Sequence, residues 1–178
     1  MSNSSTTEVI IVSDTHGKTE YLDQIEKAYP HADLYVHCGD LEDNPGRYPQ
    51  WLFVRGNNDW QGGMVENRIV TLMGHRILIL HSHQVSYNKR ENQLAAIALD
   101  NGCDIVLYGH THISKICRVN GVLLINPGSM WMSRDGKLPS FARLLLTEDG
   151  QTEAEIIFQD QWPFEVKKKE SNKRRWFW

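Results

Sequence analysis

Five short polar segments each follow an apolar run of strand length, and together they carry side chains that bind metal ions. They are SDTHG (13–17), CGDLED (38–43), GNND (56–59), HSH (81–83) and GHTH (109–112). Carboxylates, amide oxygens and imidazoles without thiolates suit Mn²⁺, Fe²⁺, Zn²⁺ or Ni²⁺ rather than a structural cysteine–zinc site. The carboxyl ends of neighbouring strands share one edge of an α/β sheet, so we expect the five segments to converge there.

Each segment alone has an ordinary structural interpretation. An Asp-x-His turn is more often an Asx turn with a solvated histidine, and HSH or GHTH can be the polar tips of strands. Five such segments in order, each after a strand, favour a metal centre instead. Two divalent ions carry four positive charges, and the carboxylates of Asp14 and Asp40 neutralise two of them. A hydroxide and a phosphodiester anion would neutralise the other two. Because paired metal ions activate water for in-line displacement at phosphorus, the predicted reaction is phosphoester hydrolysis.

The order of elements predicts how these segments are positioned. Strand VIIVS (9–13) precedes a helix that Pro30 ends, and strands DLYVH and WLFVR follow. RIVTL and RILILH form a hairpin across Met73–His75, and an amphipathic helix covers 89–101. The late half, DIVLY, ISKICRV, VLLIN, FARLLLT and TEAEIIF, is strand after strand. Strands that alternate with helices in the early half, followed by consecutive strands in the late half, predict an α/β sandwich with two facing sheets and helices outside.

In this order, DxH, GDxxD, GNxD, HxH and GHxH resemble the motifs of the calcineurin-like metallophosphoesterases. The chain length, the hairpin before HSH and INPGS (125–129) make the sequence most similar to the YfcE-like phosphodiesterases. The resemblance spans roughly residues 8–158. It implies a four-layer α/β/β/α sandwich, the metallo-dependent phosphatase fold, with two mixed sheets and a bimetal centre that in this family is often loaded with manganese. The ions implied are therefore Mn²⁺ first, with Fe²⁺, Zn²⁺ or Ni²⁺ as alternatives.

Carried over position by position, the resemblance implies two ligand sets. Asp14, His16 and His112 would hold one ion, and Asn57, His81 and His110 the other, while Asp40 would bridge them. The implied enzyme is a dinuclear-metal phosphoric diester hydrolase that acts on small phosphodiesters through a metal-bridging hydroxide. Its catalytic residues would be Asp40, Asn57, Asp59 and His81, with Asp59 fixing a neighbouring group by hydrogen bonding.

Four further residues are candidates for substrate contact. Asn58 departs from the family, where many relatives have histidine and YfcE-like members often have cysteine; asparagine has no pKa suited to acid catalysis. His83 faces substrate or is an ordinary rim histidine. Trp60 and Trp131 follow site segments and could stack on a base, but packing in the core or between subunits explains them at least as well.

Composition bounds the remaining possibilities. The 178 residues fit one domain, which we place at 8–160, after a flexible N-terminus (1–7) and before a basic, aromatic tail (161–178). The net charge is −3, and because residues 167–178 carry +5, the preceding 166 residues carry −8. Such an acidic body is a poor nucleic-acid surface. The N-terminus lacks the basic and apolar regions of a signal peptide, and the apolar runs are too short to cross a membrane, so we expect a cytoplasmic protein.

The tail and the MWM segment (130–132) suggest a homo-oligomer. Trp176, Phe177 and Trp178 could dock on a neighbouring subunit, although the same tail could instead be a basic arm or a solvated run. Two other functions compete with the enzyme. One is a non-catalytic interaction module like the retromer subunit that shares this fold, whose metal motifs are eroded, unlike those here. The other is a nuclease, which the acidic body disfavours.

Overall fold

The structure is a computed structural model that describes residues 5–166. The residues from Lys167 onward, including the aromatic cluster expected to contact another subunit, lie outside this range. Within 5–166, no helix combines the length and the apolar character that crossing a bilayer requires.

Ten strands form two five-stranded mixed sheets. The first has the order β10-β9-β1-β2-β3 and the second β4-β5-β6-β8-β7. The strands of the first sheet are β1 (Thr6–Val12), β2 (Leu34–His37), β3 (Trp51–Phe53), β9 (Ser140–Thr147) and β10 (Thr152–Phe158). Those of the second are β4 (Asn67–Leu72), β5 (His75–Leu80), β6 (Ile105–Tyr108), β7 (Lys115–Val119) and β8 (Val122–Asn126).

Parallel pairing aligns the strands that precede the site. β1 pairs in parallel with β2, and β2 with β3; in the second sheet β5, β6 and β8 are parallel. The carboxyl ends of these strands therefore lie at one end of the molecule, where the polar segments begin. The two predicted hairpins, β4–β5 and β9–β10, are antiparallel as expected.

Three apolar layers hold the sandwich together, and strand alternation assigns residues to them. In β1, Val9 and Ile11 enter the core between the sheets, while Ile10 and Val12 face α1 (Glu20–Ala28). In β6, Ile105 and Leu107 enter the same central core, whereas Val106 and Tyr108 face α2 (Arg90–Asp100). Strands covered on both faces read as continuous apolar runs. The four-layer sandwich predicted from the sequence is confirmed.

Other connections are short 3₁₀ turns, at Pro45–Arg47, Tyr87–Lys89 and Gln159–Gln161. The first lies in the proline-containing link between β2 and β3, which has no room for a longer helix.

The packed region is wider than the span of 8–160 expected from composition. Thr6 and Thr7 lie in β1, paired with Thr147 and Leu146 of β9. At the other end, Trp162 is 8 % exposed and packs in the layer beneath α1, where its ring meets Phe141 and Tyr21. Trp162, in the expected tail, is therefore a core residue.

The MWM segment is divided between the interior and the surface. Met130 is fully buried in the α1-side core, whereas Met132 is 45 % exposed. Met130 cannot contribute to an oligomer contact, because its side chain has no accessible surface. The expectation that the whole segment contacts a subunit therefore fails for this residue.

Candidate metal centre

The predicted ligands share an unusual backbone conformation. Five non-glycine ligand residues have positive φ, between 45° and 74°: Asp14, His16, Asp40, His110 and His112. Such a conformation costs roughly 1–3 kcal/mol for each residue and persists only where the surroundings enforce it. These residues lie in the loops that follow the strands, and their side chains point into the cluster. The backbone strain is therefore concentrated at the predicted metal site.

Asp14 lies at the centre of the cluster and is fully buried. Its Oδ2 accepts hydrogen bonds from the Ser13 hydroxyl at 2.6 Å and from the His110 backbone N–H at 3.0 Å. Its Oδ1 has no hydrogen-bond partner, although it is buried. The nearest imidazole nitrogen to it is Nε2 of His112, at 3.2 Å. One carboxylate oxygen is thus held in place while the other points, unsatisfied, into the cluster.

Two histidines complete this half of the centre. His16 Nδ1 donates to Glu42 Oε1 at 2.9 Å, and His112 Nδ1 donates to the Met132 carbonyl at 2.8 Å. When neutral, both rings therefore present an unprotonated Nε2, and these two atoms are 3.0 Å apart. Two lone pairs facing each other require a cation or a shared proton between them. A partner that fixes the ring through its other nitrogen is typical of metal-binding histidines.

The second half contains Asp40, Asn57, His81 and His110. His81 Nδ1 donates to the Cys38 carbonyl at 2.7 Å, which directs Nε2 towards Asn57 Oδ1 at 3.1 Å and Asp40 Oδ2 at 3.3 Å. His110 Nδ1 lies 3.0 Å from the same Asn57 oxygen. Asp40 Oδ2 is also 3.8 Å from His16 Nε2, so this carboxylate lies between the two halves.

The charges of the cluster shift its pKa values in opposite directions. Burial, together with the positive charges of His81 and Arg90, lowers the pKa of His110 to about 4, so its ring is neutral at pH 7. Burial also opposes the charged form of His81, but hydrogen bonding to Asp40 and the negative charges of Asp14 and Asp40 outweigh it and raise the pKa. Burial opposes ionisation of Asp40 too; its hydrogen bond with His81 reverses this and lowers the pKa.

Asp59 connects two of the loops through the backbone. Its Oδ2 accepts from the N–H groups of Asp40 at 2.8 Å and Gly56 at 2.7 Å, and its Oδ1 accepts from Glu42 N–H at 2.8 Å. At 2 % exposure the carboxylate cannot reach a substrate. Its contacts place the loop after β2 against the loop after β3, which carries Asn57.

Asn58 points at Asp40 rather than at the rim. Its backbone N–H donates to Asp40 Oδ1 at 2.8 Å, and its side-chain Nδ2 donates to Asp40 Oδ2 at 2.9 Å. Both carboxylate oxygens of Asp40 are therefore oriented by one residue. Asn58 was expected to contact substrate; in this structure its amide contacts a predicted ligand.

The other rim candidates are spread around the opening. His83 lies beside the cluster, with ring centroids 5.6 Å from His81 and 6.2 Å from His110, and is partly exposed. Trp131 lies 5.8 Å from the His16 ring, whereas Trp60 is 84 % exposed. Trp131 thus adjoins the ligands, while Trp60 is a surface side chain.

The segment INPGS contributes positioning residues that sequence reasoning placed only at the edge of the site. Ser129 Oγ donates to the Asp14 carbonyl at 2.7 Å and accepts from the N–H groups of Trp131 and Met132. Asn126 Nδ2 donates to the Gly109 carbonyl at 3.2 Å and to Thr111 Oγ1 at 2.9 Å. The Asn-Pro-Gly-Ser run was the signal available in the sequence. The contacts with Thr111 and Asp14 lie 15 and 115 residues away.

The donor set fits divalent metal ions. It has two carboxylates, one amide oxygen and four imidazoles, which is oxygen and nitrogen chemistry without thiolate. Groups of three ligand atoms lie within 4.8 Å of one another in Asp14, His16 and His112, and again in Asp14, Asp40 and His81. The unsatisfied Asp14 oxygen and the facing Nε2 atoms are what a site prepared for cations should present.

Comparison with known proteins identifies the class. Residues 8–149 match the calcineurin-like phosphoesterase superfamily domain. The probable metallophosphoesterase YsnB of Bacillus subtilis is 33 % identical over 156 residues, which cover 86 % of this chain and 90 % of YsnB. The chain belongs to the calcineurin-like metallophosphoesterases, a family that uses divalent metal ions, and the prediction made from its motifs is confirmed.

Solved structures share the fold. A predicted phosphoesterase from Streptococcus pneumoniae superposes with a TM-score of 0.81 at 25 % identity, covering 89 % of this chain and 94 % of that one. The zinc complex of Vps29 from Entamoeba histolytica gives 0.66 at 23 % identity, with coverages of 85 % and 99 %. The phosphoesterase YfcE from E. coli gives 0.59 at 19 %, with coverages of 84 % and 98 %. At these identities the last two show a common fold.

Proposed function

We propose that the protein is a dinuclear, manganese-dependent phosphodiesterase that hydrolyses small phosphodiesters. One observation carries this proposal: unsatisfied acceptors from separate loops face one another. Asp14 Oδ1 has no hydrogen-bond donor, and the Nε2 atoms of His16 and His112 stand 3.0 Å apart. Acceptors arranged in this way need positive charge between them.

The residues divide into two ligand sets. Asp14, His16 and His112 would hold one ion, Asn57, His81 and His110 would hold the other, and Asp40 would contact both. When bound, two divalent ions lower the pKa of water and stabilise the charge that develops on the phosphoryl oxygens. The chain's part is to fix the ligands: Asp59 and Asn58 orient Asp40, and backbone carbonyls orient His81 and His112.

Neither Asn58 nor His83, the two polar side chains beside the ligands that were candidates for substrate contact, is suited to protonate the leaving group. The Asn58 amide is engaged by Asp40 and does not titrate. Burial lowers the pKa of His83, and the charge of His81 lowers it further, so this ring is predominantly neutral at pH 7. We therefore expect substrates with good leaving groups to react fastest, because their departure needs no proton.

The strand β5 provides a matched test of the metal centre. His81 follows its carboxyl end in the cluster, whereas His75 begins its other end and pairs with Asp104 at 2.6 Å. After chelation and reloading with Mn²⁺, the wild type should hydrolyse bis(p-nitrophenyl) phosphate and bind two ions per chain by elemental analysis. His81→Asn should lose most of the activity and about one ion, while His75→Asn should retain both. Equal behaviour of the two variants would refute the assignment.

An interaction module is the second candidate, and the Vps29 likeness is what favours it. Metal content does not separate the two, because a Vps29 structure itself contains zinc. Turnover does: a manganese-loaded protein that binds two ions yet hydrolyses no member of a panel of phosphomonoesters and diesters would support the module. Cleavage of single-stranded RNA faster than any small diester would support the nuclease.

A further inference from the structure

A cavity opens beside the metal centre, on the side of His110. Its volume is about 530 Å³, within the range of small-molecule sites. His110 and Thr111 form the wall towards the metal centre. Most of the remaining lining comes from residues that the motifs did not include: Tyr87, Asn88, Arg90, Glu91, Lys115 and Arg134.

Arg90 is a buried cation without an acidic partner. It is 5 % exposed, and its Nη1 donates to the hydroxyl of Ser82 at 2.7 Å and to the carbonyl of the same residue. Among residues 5–166 it forms no ion pair with a carboxylate. A buried charge is costly unless it is paired, so an anion bound in the cavity would stabilise this guanidinium.

Arg134 is a second cation in the cavity lining that has no carboxylate partner among residues 5–166. Its backbone N–H donates to the His112 carbonyl at 3.2 Å, which places the residue next to a predicted ligand. Within the described range its guanidinium makes no ion pair, and the neighbouring Asp135 is paired with Lys137 at 3.4 Å. Arg134 therefore brings an uncompensated positive charge to the cavity.

The one carboxylate in the lining is already engaged. Glu91 Oε1 accepts from the Tyr108 hydroxyl at 2.9 Å and pairs with Lys115 Nζ at 3.2 Å. Glu91 and Lys115 neutralise each other, which leaves Arg90 and Arg134 as the net charge. A cavity of charge +2 in an otherwise acidic body matches an anionic ligand, and guanidinium groups suit phosphate in particular.

The cavity and the metal centre are parts of one surface, because His110 belongs to both. Tyr87, 80 % exposed at the rim, offers a flat face for a base. The volume exceeds what a single phosphate fills, so there is room for a nucleoside as well.

We propose that this cavity binds a second phosphate group of the substrate. The substrate class is then a phosphodiester that also carries a terminal phosphate, of which a 5′-phosphorylated dinucleotide is the simplest example. The inference rests on the proposed function, since it assumes that the scissile diester lies at the metal centre.

The matched ligands ApA and pApA differ only in the terminal phosphate. In the manganese-loaded protein we expect pApA to inhibit hydrolysis of bis(p-nitrophenyl) phosphate with a Ki at least about tenfold below that of ApA, as a charge-assisted contact allows. Arg134→Ser should remove most of this preference. Arg118→Ser, which deletes the same charge from an exposed arginine near the β7–β8 turn, should retain it.

Three outcomes would overturn the proposal. Equal inhibition by ApA and pApA would show that the extra phosphate gains nothing. A preference that survives in Arg134→Ser would place that phosphate elsewhere, for example on the metal ions. If Arg118→Ser lost the preference for pApA to the same extent, the preference would depend only on the net charge of the protein. Calorimetry measures the binding of both dinucleotides to the wild type and the variants without turnover. A protein that is inactive but still prefers pApA would refute the proposed diesterase activity and would support the phosphate site in the cavity.

Discussion

The loops at the carboxyl ends of the strands and the turns at the opposite end of the sandwich both use positive φ, but with different residues. In the opposite turns the strained positions include Gly74, Gly121 and Gly150, where a Cβ atom would meet nothing within 4 Å. Met73-Gly74 and Asn120-Gly121 are two-residue hairpin turns, in which both residues have positive φ and glycine takes the second position. At the metal centre, positive φ is found at the predicted aspartate and histidine ligands, as well as at Gly17 and Gly39.

The glycines of the ligand loops serve a different need. At Gly56 an added Cβ would lie 2.1 Å from Asp40 Oδ1, and at Gly109 it would lie 2.0 Å from Ser13 Oγ. Neither residue has positive φ, so glycine is required there for space alone. Non-glycine residues thus adopt positive φ at both ends of the molecule, but at the metal centre they are the predicted ligands, and Gly56 and Gly109 let the ligand loops approach one another.

Removing one charge at the strained end should have the largest effect. Asp40→Asn deletes a negative charge between the two ligand sets and leaves its amide facing two donors of Asn58. We expect at least about a hundredfold loss of manganese-dependent diesterase activity with the fold retained. Steady-state kinetics and circular dichroism measure this. Near-normal turnover with two ions bound would rule out a bridging role.

Filling the space that glycine leaves should come next. Gly56→Ala must displace Asp40 and the contacts of Asp59 with it, so we expect weaker metal binding and a lower melting temperature. Gly62→Ala is the matched control, because it has open space around it and no positive φ. Calorimetric metal titration of both variants provides the comparison. If the two variants bind metal equally well, the close approach of the loops at Gly56 is not required for metal binding.

Replacing Asn58 tests the leaving-group chemistry. Asn58→His supplies an acid but gives up the side-chain bond to Asp40. At equal metal occupancy we expect alkyl diesters to gain about tenfold relative to bis(p-nitrophenyl) phosphate, less than the roughly 10²–10⁴-fold of established general acids. The ratio of the two rates is the readout. If both substrates change in parallel, or if the wild type already hydrolyses alkyl diesters fast, another residue acts as the general acid. His83 is then the first residue to test.

The smallest effect is expected at the opposite end. Gly121→Ala forces a side chain into the left-handed region, at a cost of about 1 kcal/mol, or roughly 2–4 °C in melting temperature. Activity per folded molecule should be unchanged, since the turn between β7 and β8 lies far from the ligands. A loss of metal affinity here would show that the two ends are coupled and would break the contrast between them.

Much of the fold, and the convergence of the candidate ligands, was predictable from the sequence because both depend on local patterns. VIIV in β1 and DIVLY around β6 are apolar on both faces, which identifies covered strands wherever they occur. Ligand types are likewise explicit in SDTHG and GHTH, and the parallel-strand rule places both segments at one edge. The seven predicted ligand residues meet in the structure for that reason.

The direction of individual side chains was decided only by the tertiary structure. Asn58 turns to Asp40, Met130 is buried while Met132 is exposed, and Ser129 holds the Asp14 loop from 115 residues away. Loops with positive φ do not follow strand alternation, so the sequence gives no rule for where their side chains point. The guanidiniums of Arg90 and Arg134 are the clearest case: neither has a carboxylate partner among residues 5–166, and only the tertiary structure shows this.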